Sequence, residues 1–105
     1  MSRGEDVPVI DEPIVDQLLD LGPEIIGELV ELYSQQLDGL LPQIAGPEPD
    51  ERRRAAHQLK GSSANLGLAR VAWLAAGIER GDTSLVHALA PAVTEGLAAL
   101  RQRSG

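Results

Sequence analysis

The chain has 105 residues and no cysteine, and 9 basic residues against 16 acidic ones give it a net charge of −7. That length fits one domain around a single core, and the lack of thiols excludes a disulfide framework or a thiolate metal site and fits a reducing compartment. The acidic balance, with Tyr33 and Trp73 the sole aromatics, excludes a binder that tracks phosphates and stacks bases, so no nucleic-acid partner is expected.

Charge or glycine interrupts every long apolar run, and the opening MSRGEDVPVIDE lacks the continuous hydrophobicity of a signal peptide; the expectation is a cytoplasmic protein with no membrane insertion. Residues 1–10 read as a flexible tail in which Val9 and Ile10 are the positions able to pack. A short first helix is predicted after Asp11, a good N-cap, presenting Ile14, Val15, Leu18 and Leu19 before Gly22 ends it. The second helix is predicted from Pro23 to about Ile44, roughly 33 Å long at 1.5 Å per residue. One of its sides carries Ile25, Ile26, Leu29, Val30, Tyr33, Leu37, Leu40, Leu41 and Ile44; the other carries Glu28, Glu31, Ser34, Gln35 and Asp38.

The third helix should begin near Pro49, where Asp50 and Glu51 complement the N-terminal dipole, and stop at Gly67. A fourth spans about Leu68–Arg80, with Leu68, Val71, Leu74, Ala75 and Ile78 inward. A fifth spans about Thr83–Gln102, with Leu85, Val86, Leu89, Val93, Leu97 and Leu100 inward and Pro91 placed to kink or divide it. No segment alternates like a strand. Short connections make sequential helices antiparallel, so the expected fold is all-α: an up-down-up-down four-helix bundle over residues 11–103 with the short N-terminal helix as an addition.

The third helix has two unlike faces. Leu59 lies about 200° from His57 around the axis, with Ala55, Ala56, Ser62, Ser63 and Leu66 on or near the Leu59 side. His57 therefore points away from the core, among Arg53, Arg54, Lys60, Gly61 and Ala64, a basic stripe in an acidic protein. Gly61 costs about 1 kcal/mol relative to alanine inside a helix, which asks for a reason: either a close approach by another molecule or a crowded helix contact. The cations suit a histidine that acquires a negatively charged group. They equally suit an ordinary solvated face, and His57 taken alone equally suits an ordinary surface residue. His87, on the polar edge of the fifth helix, reads as a surface histidine.

His57-Gln58-Leu59-Lys60-Gly61-Ser62-Ser63-Ala64-Asn65-Leu66-Gly67 closely resembles the signature H-x-[LI]-K-G-[SA]-[SA]-x-x-[hydrophobic]-G of histidine-containing phosphotransfer (HPt) domains of bacterial phosphorelays, with every fixed position filled. The resemblance extends to the long preceding helix, the Ala55-Ala56 lead-in and the Ile78-Glu79 pair, where the family carries Leu-Glu or Ile-Gln. It implies a helical bundle whose exposed histidine, His57, is the phosphoacceptor. By the same resemblance Lys60 is the cation near the phosphoryl group, Glu79 holds the imidazole and Gly61 is the small residue that admits a receiver domain; Ala64, Arg53 and Arg54, on the same arc as His57, are the further candidates for receiver docking. The implied partners are receiver domains of response regulators and hybrid sensor histidine kinases; the implied Mg²⁺ belongs to the receiver, with no metal or other cofactor on this chain and a monomeric state. Two features depart from the family: Glu79-Arg80-Gly81-Asp82 is shorter than its usual connection, and Trp73 stands on the outer side of the fourth helix, placed to pack under a tail or to meet a partner. The chain has no glycine-rich nucleotide loop, so it is not expected to phosphorylate itself from ATP. A non-catalytic bundle that docks on a signalling partner without carrying phosphate stays open as the alternative.

Overall fold

The computed structural model describes residues 4–104, in which five α-helices and a 3₁₀ segment make up an all-helical fold with no strand among the described residues. The helices are α1 (Glu12–Leu21), α2 (Pro23–Ala45), α3 (Pro49–Asn65), α4 (Ala69–Glu79) and α5 (Leu89–Ser104), with the 3₁₀ segment Thr83–Ala88 between the last two. Each of the first three starts with a proline in its first two positions, where the missing N–H has no intrahelical partner to lose. The Asp11 side chain caps α1, accepting from the Ile14 backbone N–H at 3.4 Å.

α3 packs against α2 and, most extensively, against α4; α4 packs against α5, and α5 returns to α2. The core between them is aliphatic: Ile26, Ile44, Leu59, Leu68, Leu74, Ile78, Leu89 and Leu100 are all at most 2% exposed. A radius of gyration of 13.3 Å is that of a single domain of this length. Thr83–Ser104 is the one described stretch long and apolar enough to cross a membrane, and its apolar side chains Leu85, Leu89, Val93, Leu97 and Leu100 lie buried in this core.

Two turns fix the ends of the helices that carry His57 and Glu79. At the end of α3, Gly67 adopts a φ of +74°, its N–H bonds the Ala64 carbonyl at 3.0 Å, and the Leu68 N–H reaches the Ser63 carbonyl at 2.9 Å. This is a Schellman stop, which favours glycine at the left-handed position. The same residue seats α1: its carbonyl accepts from the Asp11 N–H at 2.7 Å, and a Cβ there would stand 2.9 Å from Val15 Cγ2. Gly81, with a φ of +106°, ends α4 in the same way, through Asp82 N–H to the Gly77 carbonyl at 3.0 Å. The short connection therefore leaves Glu79 as the last residue of α4.

The fifth helix differs from its prediction. Its division falls at Ala88–Leu89, before Pro91 rather than at it, and everything upstream to Thr83 is 3₁₀. The proline ring would collide with the carbonyl of His87, four residues back, in a continuous helix; restarting at Leu89 puts Pro91 in a first turn that needs no N–H donor.

The stretch expected to be a flexible tail is packed from Gly4 onward. Arg70 Nε donates to the Val7 carbonyl at 3.0 Å and its Nη2 to the Glu5 carbonyl at 3.3 Å, and Gly4 lies over Trp73 and Leu74. Trp73 is thereby half-buried beneath this segment, which accounts for an aromatic on the outer side of α4. Residues 1–3 of that tail lie outside the described residues. At the other end of the chain, Arg103 pairs with both Glu12 and Asp16 of α1. Arg52, which the pattern did not single out, donates to the carbonyls of Ile44 at 3.0 Å and Gly46 at 2.6 Å and so satisfies the exposed end of α2.

Candidate functional site

The middle of α3 is held in contact with the core by Ala55, Ala56, Leu59 and Ser63, none more than 2% exposed. That contact turns the opposite arc outward and leaves the His57 side chain 68% exposed. Beneath it, Ser63 Oγ and Tyr33 Oη share a buried hydrogen bond of 2.8 Å, which fastens α3 to α2. Burial pushes the Tyr33 phenol up to about 12. Helical spacing puts Ser63 on the core side of α3 and Tyr33 on the core side of α2, and two hydroxyls on facing core sides are the signal for this bond. Ser62, beside it, donates to Gln36 Oε1 at 3.0 Å.

Glu79 reaches from the end of α4 and engages two α3 side chains at once. Its Oε2 is 2.7 Å from His57 Nδ1, and its Oε1 accepts from Lys60 Nζ at 2.7 Å. The hydrogen bond from Lys60, and after it that from His57, holds the Glu79 carboxyl below its ordinary value of 4.5. An ionised carboxylate can only accept, so the imidazole proton sits on Nδ1 and, in the neutral ring, Nε2 keeps its lone pair. Nε2 of an exposed ring in this tautomer is a nucleophile.

A cleft beside the ring is lined by Arg53, Arg54, His57, Gln58 and Glu79. Arg53 pairs with Asp50 at 3.3 Å. Gly61 and Ala64 are exposed on the same arc of α3, and a Cβ built on Gly61 would meet nothing within 4 Å. Crowding within the chain therefore does not explain this glycine.

The structure thus brings His57, Lys60 and Glu79 into one hydrogen-bonded chain and sets Arg53, Arg54, Gly61 and Ala64 around it. Lys60 does not line the cleft. Three residues that the sequence did not single out border the face: Gln58 in the cleft, and the exposed leucines Leu21 and Leu32, 68% and 57% accessible. Leu21 lines a groove with Ile14, Leu18, Ala64 and Asn65, and Leu32 lines another with Leu29, Gln36, Ser62 and Asn65. Helical spacing held the signal for both, since Leu21 is three residues beyond Leu18 and Leu32 three beyond Leu29.

The family model described as Hpt domain matches residues 13–103, nearly the whole chain. The protein belongs to the Hpt domain family. No match to this HPt domain was found among curated proteins or among solved structures. Membership gives its general role, histidine phosphotransfer in phosphorelays, and its class of partner, the receiver domain.

Proposed function

We propose that this HPt domain is a phosphocarrier. His57 takes a phosphoryl group from the phospho-aspartate of one receiver domain, in a hybrid sensor histidine kinase or a response regulator, and passes it to the aspartate of another. The observation that carries this reading is the exposed imidazole tied through Nδ1 to Glu79 at 2.7 Å. In the forward step the Nε2 lone pair attacks phosphorus, the bond to the aspartyl oxygen breaks, and the carboxylate leaves with that electron pair. The ring proton stays on Nδ1, and the cationic ring that results faces the Glu79 carboxylate, whose charge offsets it.

In the return direction the same carboxylate keeps the phosphorylated ring in place while the receiver's aspartate attacks. Positioning and charge supply the catalysis, and the Mg²⁺ that assists belongs to the receiver. The chain itself acts without a bound cofactor, as a cytoplasmic monomer, with α2 to α5 running alternately up and down. The open arc at Gly61 and Ala64, flanked by Leu21 and Leu32, is where the receiver sits, and Arg53 and Arg54 face the receiver's acidic phosphorylation site.

Incubation with phosphorylated receiver domains is expected to give acid-labile, base-stable phosphate on the protein, lost entirely in His57→Gln. Label that persists in His57→Gln would refute the assignment. Receiver binding that survives His57→Ala, with no phosphate ever found on the wild type, would favour the docking module instead.

A further inference from the structure

Two jobs require a cation in this site: holding Glu79 and meeting the phosphoryl dianion. Lys60 is committed to the first, with its ammonium 2.7 Å from Glu79 Oε1, and it is not among the side chains that line the cleft beside His57. Arg53 lines that cleft and is paired with Asp50. Arg54 lines it too, is exposed, stands one turn before His57 on α3, and is in no ion pair among the described residues. Its guanidinium offers a planar pair of N–H donors, the geometry that matches two phosphoryl oxygens.

We propose that the phosphoryl group on His57 lies on the Arg54 side of the ring, with Arg54 as the cation that contacts it and Lys60 as a positioning residue that acts through Glu79. The proposal rests on His57 being the phosphoacceptor. It divides between two residues what the family resemblance gives to Lys60 alone. Glu79 held at both oxygens has one orientation, and so does the imidazole bonded to it. Were Lys60 to swing to the phosphoryl group, Glu79 would lose its principal partner just as the ring became cationic.

The test needs no partner. Phosphoramidate supplies the phosphoryl group: its phosphorus–nitrogen bond breaks with ammonia as the leaving group while the Nε2 lone pair forms the new bond. The phosphorylated wild type, Arg54→Gln and Lys60→Gln are then followed by ³¹P NMR against pH, and the unphosphorylated proteins by ¹⁵N NMR of the imidazole. A contacting guanidinium favours the dianion, so Arg54→Gln is expected to lower the acid dissociation constant of the phosphoryl group by roughly two- to fivefold, the effect of a partly exposed charge pair. Lys60→Gln is expected to leave that constant unchanged and instead to shift the ¹⁵N signals toward a mixture of tautomers. Phosphoryl titration that moves in Lys60→Gln and not in Arg54→Gln would overturn the inference while leaving His57 as carrier. A wild-type protein that takes no phosphoryl group would overturn both.

Discussion

Gly61 allows stability and function to be set against each other at one position. It lies inside α3, where glycine is about 1 kcal/mol worse than alanine, and a Cβ there meets no atom within 4 Å. Gly61→Ala should therefore stabilise the isolated domain by about 1 kcal/mol, which for a domain of this size raises Tm by roughly 4–8 °C. The same methyl group projects from the arc where the receiver is proposed to sit. Overpacking a close interface costs about 1–3 kcal/mol, so transfer from a phosphorylated receiver should slow by roughly fivefold or more, and further in Gly61→Gln. Thermal unfolding followed by circular dichroism gives the first number and rapid-quench phosphotransfer the second. If both variants are more stable and still transfer at the wild-type rate, Gly61 is not kept for the partner's approach. A lower Tm for Gly61→Ala would refute the claim that the surface there is open.

Gly67 should respond with the opposite sign. Gly67→Ala forces a side chain into the left-handed region and against Val15, and is expected to destabilise by about 1–3 kcal/mol in urea titrations. Ser63→Ala leaves the buried Tyr33 hydroxyl without its partner and should cost about 1–3 kcal/mol by the same measurement; Tyr33→Phe should cost less, since the Ser63 hydroxyl can turn to a carbonyl of its own helix. The Tyr33 phenol titrates near 12 in the folded protein against 10.0 ordinarily. Its stabilising contribution is complete below pH 10 and lost as pH rises toward 12, up to about 3 kcal/mol, and denaturation of Tyr33→Phe across this range should lack that slope. For Glu79 the direction reverses: its carboxyl sits below 4.5, so its contribution holds above that pH and fades as pH falls through the lower folded value. Comparing urea midpoints of wild type and Glu79→Gln at pH 3 and pH 6 should show the difference shrinking at acid pH.

The extent to which the sequence specified this molecule varies with the kind of signal. Helix limits followed from capping chemistry: Asp11 before α1 and Gly67 after α3 have local reasons that the structure repeats in hydrogen bonds. The inward faces followed from periodicity, because the bundle buries one stripe per helix. Long-range partners did not follow, since nothing local to Arg70 announces that it will hold the carbonyls of Glu5 and Val7, and nothing local to Arg52 announces its grip on the end of α2. The fifth helix shows a competition of local terms, in which the clash at His87 moved the break upstream of Pro91. The arrangement at His57 lies between these cases. Its neighbours on α3 could be read at helical spacing, whereas Glu79 came from the family resemblance and reaches His57 across 22 residues of chain.

His57, Lys60 and Glu79 belong to a single hairpin, α3 and α4 joined at Gly67, while the two exposed leucines beside them belong to α1 and α2. The imidazole of His57 and the side chains that hold it are thus assembled by one pair of adjacent helices, the most extensively packed pair among the described residues. On the proposed reading, the apolar flanks of the docking face and the phosphoryl chemistry accordingly lie on different stretches of chain, while the centre of that face shares α3 with His57. If the receiver sits where proposed, substitution of Leu21 on α1 or Leu32 on α2 is expected to change receiver affinity while the His57–Glu79 hydrogen bond is kept.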